Sequence, residues 1–227
     1  MTARQSLLLI QFARVPVAGQ VKTRLIPALG PQLAADLHCS MALRTLATLD
    51  SSGLGPVQLW LTGDGAEGWL RQIDPGAVIE SFEQVGSDLG ERMETAIAKG
   101  LLDYAKVVLV GSDAPAITAA YLQQAAAALD DMDVVFGPAI DGGYVLLGMR
   151  RASAGWLQGI SWGTSAVLEQ SQSAARRHGL SHRLLEALPD IDVEADLRWL
   201  PGDFRSLQVD GTQALTLSSR LAELAGN

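Results

Sequence analysis

The chain has 227 residues, of which 48% are hydrophobic and 19% charged, and its net charge is −8. These values suit one α/β domain with a sizeable core, and the acidic balance argues against nucleic acid or an acidic membrane surface as partner. No apolar run approaches the roughly 18 residues of a membrane span. The lone Cys39 leaves no disulfide framework or thiol metal cluster, so a buried, inert thiol and a cytoplasmic location are expected.

Charge is unevenly placed. The first 35 residues hold Arg4, Arg14, Lys22 and Arg24 and no acid, so the other 13 basic residues face all 25 carboxylates. A short basic segment in an acidic chain suits a small anionic ligand, phosphate above all. Ser6–Ala13 reads as a first buried strand; its LLLI run is not followed by the small-residue cleavage site of a signal peptide. The loop from Arg14 to Leu25 is broken by Pro16 and Gly19. Lys22 and Arg24 lie just past Gly19, where backbone N–H groups and side-chain charge can hold a di- or triphosphate. This is not a G-x-x-x-x-G-K-[ST] loop, because the upstream glycine is missing. A solvated surface loop is the alternative.

Pro31–Leu49 has apolar residues at helical spacing, and Val57–Thr62 reads as a second strand. Gly63–Gly68 then fits G-x-G-x-x-G, the sole basis for a dinucleotide-dependent oxidoreductase. Its Asp64 and Glu67 would repel a pyrophosphate, and it follows the second strand instead of the first. Val78–Phe82 reads as a short strand. The segment from Gln84 leads into an amphipathic helix through Ala98, capped by Asp88 or Ser87, with Arg92 in its first turns.

Val107–Pro115 reads as a buried strand that stops at Gly111-Ser112-Asp113. Ligands of open parallel sheets gather outside the carboxyl ends of the strands. A carboxylate there, facing phosphate, can hold Mg²⁺, which takes one or two protein carboxylates and fills the rest of its shell with phosphate oxygens and water. Asp113 is that candidate; the other reading makes it a turn residue capping the next helix. Thr118 opens an Ala-rich helix through Leu129, and Val134–Pro138 and Tyr144–Met149 are two further strands. Between them, Asp141-Gly142-Gly143 is a hairpin turn or a place where the backbone approaches a ligand and Asp141 adds a second carboxylate.

Trp162 lies before a helix running to about His178, for which Thr164 or Ser165 is the expected cap; its indole is a core-edge ring or a stacking platform. Ser181–Leu185 is a late strand. The carboxylates of Asp190, Asp192, Glu194 and Asp196 alternate like an EF-hand loop, but Ala195 replaces the required Gly. Asp192 capping a helix that ends near Leu200 is the structural reading. Thr212–Ala225 reads as a terminal helix. His38, His178 and His182 show no triad or metal spacing, and nothing resembles a G-x-S-x-G elbow or H-E-x-x-H.

Five segments in order, FARVPVAGQVKTRL, QVGSDLGERM, VLVGSDAPAIT, GPAIDGGYVLLG and DIDVEADL, carry a resemblance from about Leu7 to Leu200. The chain resembles the bacterial glycosyltransferase-A-like proteins of the DUF2064 family, nucleotide-diphospho-sugar transferases by assignment, some associated with arsenosugar biosynthesis. It is more distantly similar to molybdenum-cofactor and phospholactate guanylyltransferases. The resemblance implies a three-layer α/β/α nucleotide-diphospho-sugar transferase fold with a mixed, mostly parallel sheet, spanning residues 1–227 as one domain whose segment 200–227 is less typical. By position it implies nucleotide binding by Phe12, Arg14, Gly19, Lys22, Arg24 and Ser112. It also implies metal binding by Asp113, completed by Asp192, with Mg²⁺ or Mn²⁺ as the cofactor. Gly142, Gly143 and Tyr144 would form the substrate pocket, and Asp113, Lys22 and Asp141 the catalytic set. Members often carry Lys where Arg14 stands, which keeps the charge, and Ser where Gly163 stands, which loses a hydroxyl. The implied reaction is glycosyl transfer from a nucleotide-sugar to a small acceptor. The alternatives are nucleotidyl transfer from a nucleoside triphosphate to a phosphorylated small molecule, and a non-catalytic nucleotide sensor.

Overall fold

In the computed structural model, which describes residues 5–73, 79–201 and 204, the first strand, β1 (Gln5–Arg14), is buried without interruption from Leu7 to Ala13. A strand covered on both faces belongs in the middle of a parallel sheet flanked by helices. It pairs in parallel with β2 (Val57–Thr62) on one side and β4 (Tyr104–Val110) on the other. Beyond β2 lies β3 (Glu80–Glu83). Beyond β4 lie β6 (Tyr144–Met149), β5 (Val134–Pro138) and β7 (His182–Leu184), so the order is β3-β2-β1-β4-β6-β5-β7. Among the described strands β6 alone runs against the rest.

Alternate residues of β1 explain the layers. Leu8, Ile10 and Phe12 face α4 (Leu89–Asp103) and α6 (Val167–Arg177), in a cluster with Met93, Ile97, Val167 and Ala174. Leu7 and Leu9 face the opposite way, towards Leu49 of α2 (Pro31–Ser51) and towards α5 (Ala119–Ala128). The short helices α1 (Ile26–Leu29) and α3 (Ala66–Ile73) pack by α2, through Leu29 and Trp69 respectively. Helices on both faces of a mostly parallel mixed sheet make the three-layer α/β/α arrangement. No helix among the described residues is long and apolar enough to cross a membrane.

Local chemistry accounts for most boundaries. Asp88 accepts the Glu91 N–H and caps α4, and Thr118 accepts the Tyr121 N–H and caps α5. At α6 the expected hydroxyl cap is replaced: no side chain caps the helix, and the Leu168 N–H is taken by the Gly142 carbonyl of the β5–β6 hairpin, 2.9 Å away. After Asp192 the chain makes only a 3-10 turn, Glu194–Trp199, in which Asp196 accepts the N–H groups of Asp192 and Val193. Asp192 therefore caps nothing, and its carboxylate is left for other partners. Gly63–Gly68 is the turn from β2 into α3, with Glu67 exposed beside Arg71. The expected helix at Thr212–Ala225, and Val78 of the expected third strand, lie outside the described residues.

The connections leave β1 towards β2 in one direction and return to β4 on the other side. The crevice between the carboxyl ends of β1 and β4 is thus the topological switch point, where ligands of such sheets bind.

Candidate functional site

The loop after β1 delivers Lys22. Among the described residues it is the non-glycine residue with a left-handed backbone, at φ 47° and ψ 43°. That conformation costs a side chain with a Cβ about 1–2 kcal/mol, strain of the kind held at functional sites by surrounding contacts. The contacts are evident. Only 4% of the side chain is exposed, and its ammonium lies 2.5 Å from the Ile191 carbonyl, 2.9 Å from Asp113 Oδ1 and 3.8 Å from Asp192 Oδ1.

Asp113 stands three residues past β4. Its neighbour Ser112 donates its hydroxyl to the Phe12 carbonyl and accepts from Gln11 Nε2, both at 2.9 Å; Gln11 also donates to the Ala42 carbonyl. The ends of β1 and β4 and the flank of α2 are thereby locked together. The Ile191 N–H donates to the Asp113 carbonyl, which brings the 190–192 segment to the same place. Because Thr118 caps α5, Asp113 is released from that structural duty. Burial pushes its carboxyl up, but the Lys22 ammonium and His38 outweigh burial and hold it well below the usual carboxylate range. The Lys22 contact is ionic and not an aligned hydrogen bond, since Asp113 Oδ1 has no hydrogen-bond partner among the described residues.

His38, on α2, is a site residue that spacing did not disclose. Its Nε2 donates to the Arg14 carbonyl at 2.9 Å, an assignment fixed by the carbonyl acceptor, and its Nδ1 lies 3.6 Å from Asp113 Oδ1. Nothing in the sequence links positions 38 and 113; only the packing of α2 beside β1 does.

Asp192 meets Lys22 through one oxygen and Arg24 through the other, at 2.8 Å. Asp113 and Asp192 are hard oxygen donors within reach of one cation, the Lys22 ammonium. The described residues contain no group of three or more His, Cys, Asp or Glu side chains arranged for a metal. Two carboxylates without a closed cage suit Mg²⁺ or Mn²⁺ shared with a phosphate, so the residues fit such an ion.

Two adjoining cavities open here, of about 550 and 460 Å³. Phe12, Arg14, Lys22, Arg24, Asp113, Asp141, Gly143, Tyr144 and Asp192 line the larger, and Ser112 lines the smaller. The structure thus brings together most of the residues singled out from the sequence. Gly19 and Gly142 line neither cavity. Gly19 serves the turn at φ 82°, and Gly142 is pressed on the neighbouring loop, where a Cβ would come 2.3 Å from the Ser165 carbonyl oxygen. The freedom of Gly142 is therefore used against protein and not to admit a ligand. Asp141 is both a hairpin residue, accepting the Gly143 N–H at 2.8 Å, and a cavity residue. Asp190, which the sequence showed only as one member of a carboxylate run, lines the smaller cavity; desolvation and the neighbouring Asp141 push its carboxyl up to about 6.

Comparison with solved structures finds a protein from Desulfovibrio desulfuricans G20, assigned as a nucleotide-diphospho-sugar transferase. It is 29% identical, with 98% of this chain and 96% of that chain covered at a TM-score of 0.81. Two more distant structures share the fold. One is CMP:2-keto-3-deoxy-manno-octonic acid synthetase complexed with CTP, at 12% identity, 86% and 96% coverage and TM-score 0.54. The other is Rv0371c from Mycobacterium tuberculosis H37Rv complexed with manganese, at 19% identity, 87% and 98% coverage and TM-score 0.55. No curated protein matches the chain. Residues 45–164, more than half of the sequence, match the bacterial family DUF2064, described as an uncharacterized protein conserved in bacteria, and the chain belongs to that family.

Proposed function

We propose that the chain is a transferase acting on a nucleotide-activated substrate, and specifically that it transfers a glycosyl group from a nucleotide-diphospho-sugar to a small acceptor. The observation that carries this reading is the Lys22 ammonium set 2.9 Å from Asp113 and 3.8 Å from Asp192, in a cavity shared with Arg14 and Arg24. The name of the D. desulfuricans neighbour, and the CTP and manganese bound by the two distant ones, support it.

In this mechanism Arg14, Lys22 and Arg24 grip the diphosphate and neutralise the charge that grows on it as it departs. Asp113 and Asp192 would hold a divalent cation, which would supply further positive charge to the departing oxygens. The acceptor oxygen forms its bond to the sugar carbon as the bond from that carbon to the diphosphate breaks. The acceptor's proton passes to Asp141, and nucleoside diphosphate leaves. Phe12, at the end of β1, and Ser112, which ties β1 to β4, set the floor on which the nucleotide rests; Gly143 and Tyr144 border the acceptor.

A second reading is nucleotidyl transfer with loss of pyrophosphate, favoured by the CTP bound to CMP:2-keto-3-deoxy-manno-octonic acid synthetase, which shares the fold. One experiment separates the two. The protein is incubated with Mn²⁺ and a panel of nucleotide-sugars or nucleoside triphosphates, and released nucleoside diphosphate or pyrophosphate is quantified with acceptor-free hydrolysis subtracted. Glycosyl transfer releases nucleoside diphosphate, and Asp113→Asn should slow it by two to three decades, equivalent to about 3–4 kcal/mol of barrier. Pyrophosphate instead would select the second reading. Nucleotide binding with no product from any donor would leave a sensor and overturn both.

A further inference from the structure

Of the lysines and arginines at the site, Lys22 and Arg24 are taken up by Asp113 and Asp192. Two others, Arg14 and Arg92, line the smaller cavity and make no ion pair among the described residues. Arg92 lies one turn after Leu89 on α4, so both side chains reach that cavity. The acids beside it are already spent. Asp88 accepts the Glu91 N–H, and the Glu91 carboxylate accepts the N–H and hydroxyl of Ser87, at 2.8 and 2.7 Å. Arg92 instead donates its Nε to the Gly86 carbonyl at 3.1 Å, and Gly86 is packed so closely on α4 that a Cβ there would come 2.6 Å from the Arg92 backbone nitrogen. The side chain is thus aimed through its Nε, while its terminal amino groups have no partner among the described residues. Arg14 donates from Nη1 to the Gln20 carbonyl, at 3.4 Å. In a chain with 25 carboxylates against 17 lysines and arginines, two unpaired guanidiniums in one cavity of about 460 Å³ mark a place for an anion.

Asp141 and Asp190 line the same cavity. They would repel a bare anion, but a molecule that carries hydroxyls beside its anionic group satisfies both kinds of lining, because an ionised carboxylate accepts from hydroxyls. A phosphate monoester, with a charge of about −1.5 to −2 and three acceptor oxygens, can serve both guanidiniums at once, whereas one guanidinium fork saturates a carboxylate. Resting on the transferase reading, we propose that the acceptor is a phosphorylated, hydroxyl-bearing small molecule, its phosphate held by Arg92 and Arg14 and its nucleophilic hydroxyl set at Asp141. Arg14 and Asp141 line both cavities, so Arg14 is shared between the two phosphate groups and the hydroxyl faces the donor in the larger cavity. The acceptor oxygen bonds to the donor's sugar carbon as the carbon–diphosphate bond breaks. The acceptor's proton goes to Asp141, and its phosphate ester stays intact.

The test saturates the full chain with Mn²⁺ and nucleoside diphosphate and then titrates glycerol 3-phosphate, glycerate and glycerol by calorimetry at equal ionic strength. Glycerol 3-phosphate should bind at least about tenfold more tightly than either of the others. Arg92→Gln, which keeps a donor for the Gly86 carbonyl, should weaken it about tenfold. Arg92→Lys, which keeps the charge without the fork, should weaken it less, by about threefold. Neither variant should alter the rise in melting temperature that nucleoside diphosphate produces with Mn²⁺. Glycerol or glycerate binding as tightly as glycerol 3-phosphate, or glycerol 3-phosphate binding unaltered in both variants, overturns the proposal. So does loss of the nucleotide-induced shift in Arg92→Gln, which would place Arg92 on the donor. Binding of glycerol 3-phosphate that depends on Arg92, in a protein whose melting temperature no nucleotide raises, upholds the phosphate subsite and defeats the transferase reading.

Discussion

Lys22→Met keeps the length of the side chain and deletes the charge that the site is built around. At 2.9 Å from Asp113 Oδ1, and with an effective dielectric of about 20, the attraction removed is roughly 6 kcal/mol before solvation is counted. Only 4% of the Lys22 side chain is exposed, but 48% of Asp113 is, so water recovers much of the carboxylate's loss. The net destabilisation expected is therefore about 2 kcal/mol, below the usual cost of breaking a fully buried pair. The sign with pH follows from Asp113, whose carboxyl lies below its unfolded value in the parent. The pair's contribution is present above the unfolded value of about 4 and is lost as pH falls through the lower folded one. Differential scanning calorimetry, with a chelator present, should show the variant melting about 4–8 °C below the parent at pH 7. The gap should close in strong acid. A melting temperature within about 1 °C of the parent at pH 7, or a deficit undiminished near pH 2, would refute the assignment of Lys22 as Asp113's partner.

Two predictions concern the frame around the site. Gly142→Ala would drive a Cβ to 2.3 Å from the Ser165 carbonyl oxygen at φ 96°, and should cost about 2–4 kcal/mol in urea unfolding; a loss under about 0.5 kcal/mol would show that the two loops separate easily. Asp133 is pushed up by burial, but its bonds from the Ser181 N–H and hydroxyl, with Arg151 and Arg150, bring its carboxyl below the usual range. It should therefore stabilise the fold at neutral pH and lose that effect as pH falls through its depressed value. Asp133→Asn should lower the urea midpoint at pH 7 and converge with the parent in acid, and parallel pH profiles for the two proteins would contradict this.

Much of the fold could be read from local pattern, because burial on both faces writes continuous apolar runs. Those at Val107–Val110 and Val134–Phe136 lie in strands, and Asp88 and Thr118 mark helix starts by a mechanism that acts within a turn. What the pattern withheld was every contact made across the chain. The start of α6 is completed by a carbonyl from Gly142, so its own Thr164 and Ser165 misled. Asp192 reads as a cap until Asp196 is seen to take the N–H groups. The D-G turn reads as a choice between hairpin and ligand contact, whereas Asp141 both accepts the Gly143 N–H of the turn and lines the candidate cavity. His38 reaches Asp113 only because α2 lies along β1, and no spacing rule encodes that.

The cationic segment at the start of the chain suggested a ready-made phosphate hook, but folding alters that balance. Arg14, Lys22 and Arg24 meet Asp113, Asp141 and Asp192 in the same cavity, with Asp190 lining the adjoining one. Arg24 is already engaged by Asp192, and Lys22 by Asp113. A diphosphate entering alone would meet as many carboxylates as cations in that cavity, and would have to compete for both ammonium and guanidinium. A divalent cation held by Asp113 and Asp192 would reverse that sign and free Lys22 for phosphate. Nucleoside diphosphate should accordingly raise the melting temperature by several degrees with Mn²⁺ and by little in EDTA, a difference of about 2.3 kcal/mol if the metal carries the ligand from near its dissociation constant to a hundredfold above it. Asp192→Asn, which removes one negative charge without touching Asp113, should narrow the gap between the two conditions. Equal shifts with and without metal would mean that Arg14 and Arg24 suffice, and that the carboxylates face something other than a metal-bound phosphate.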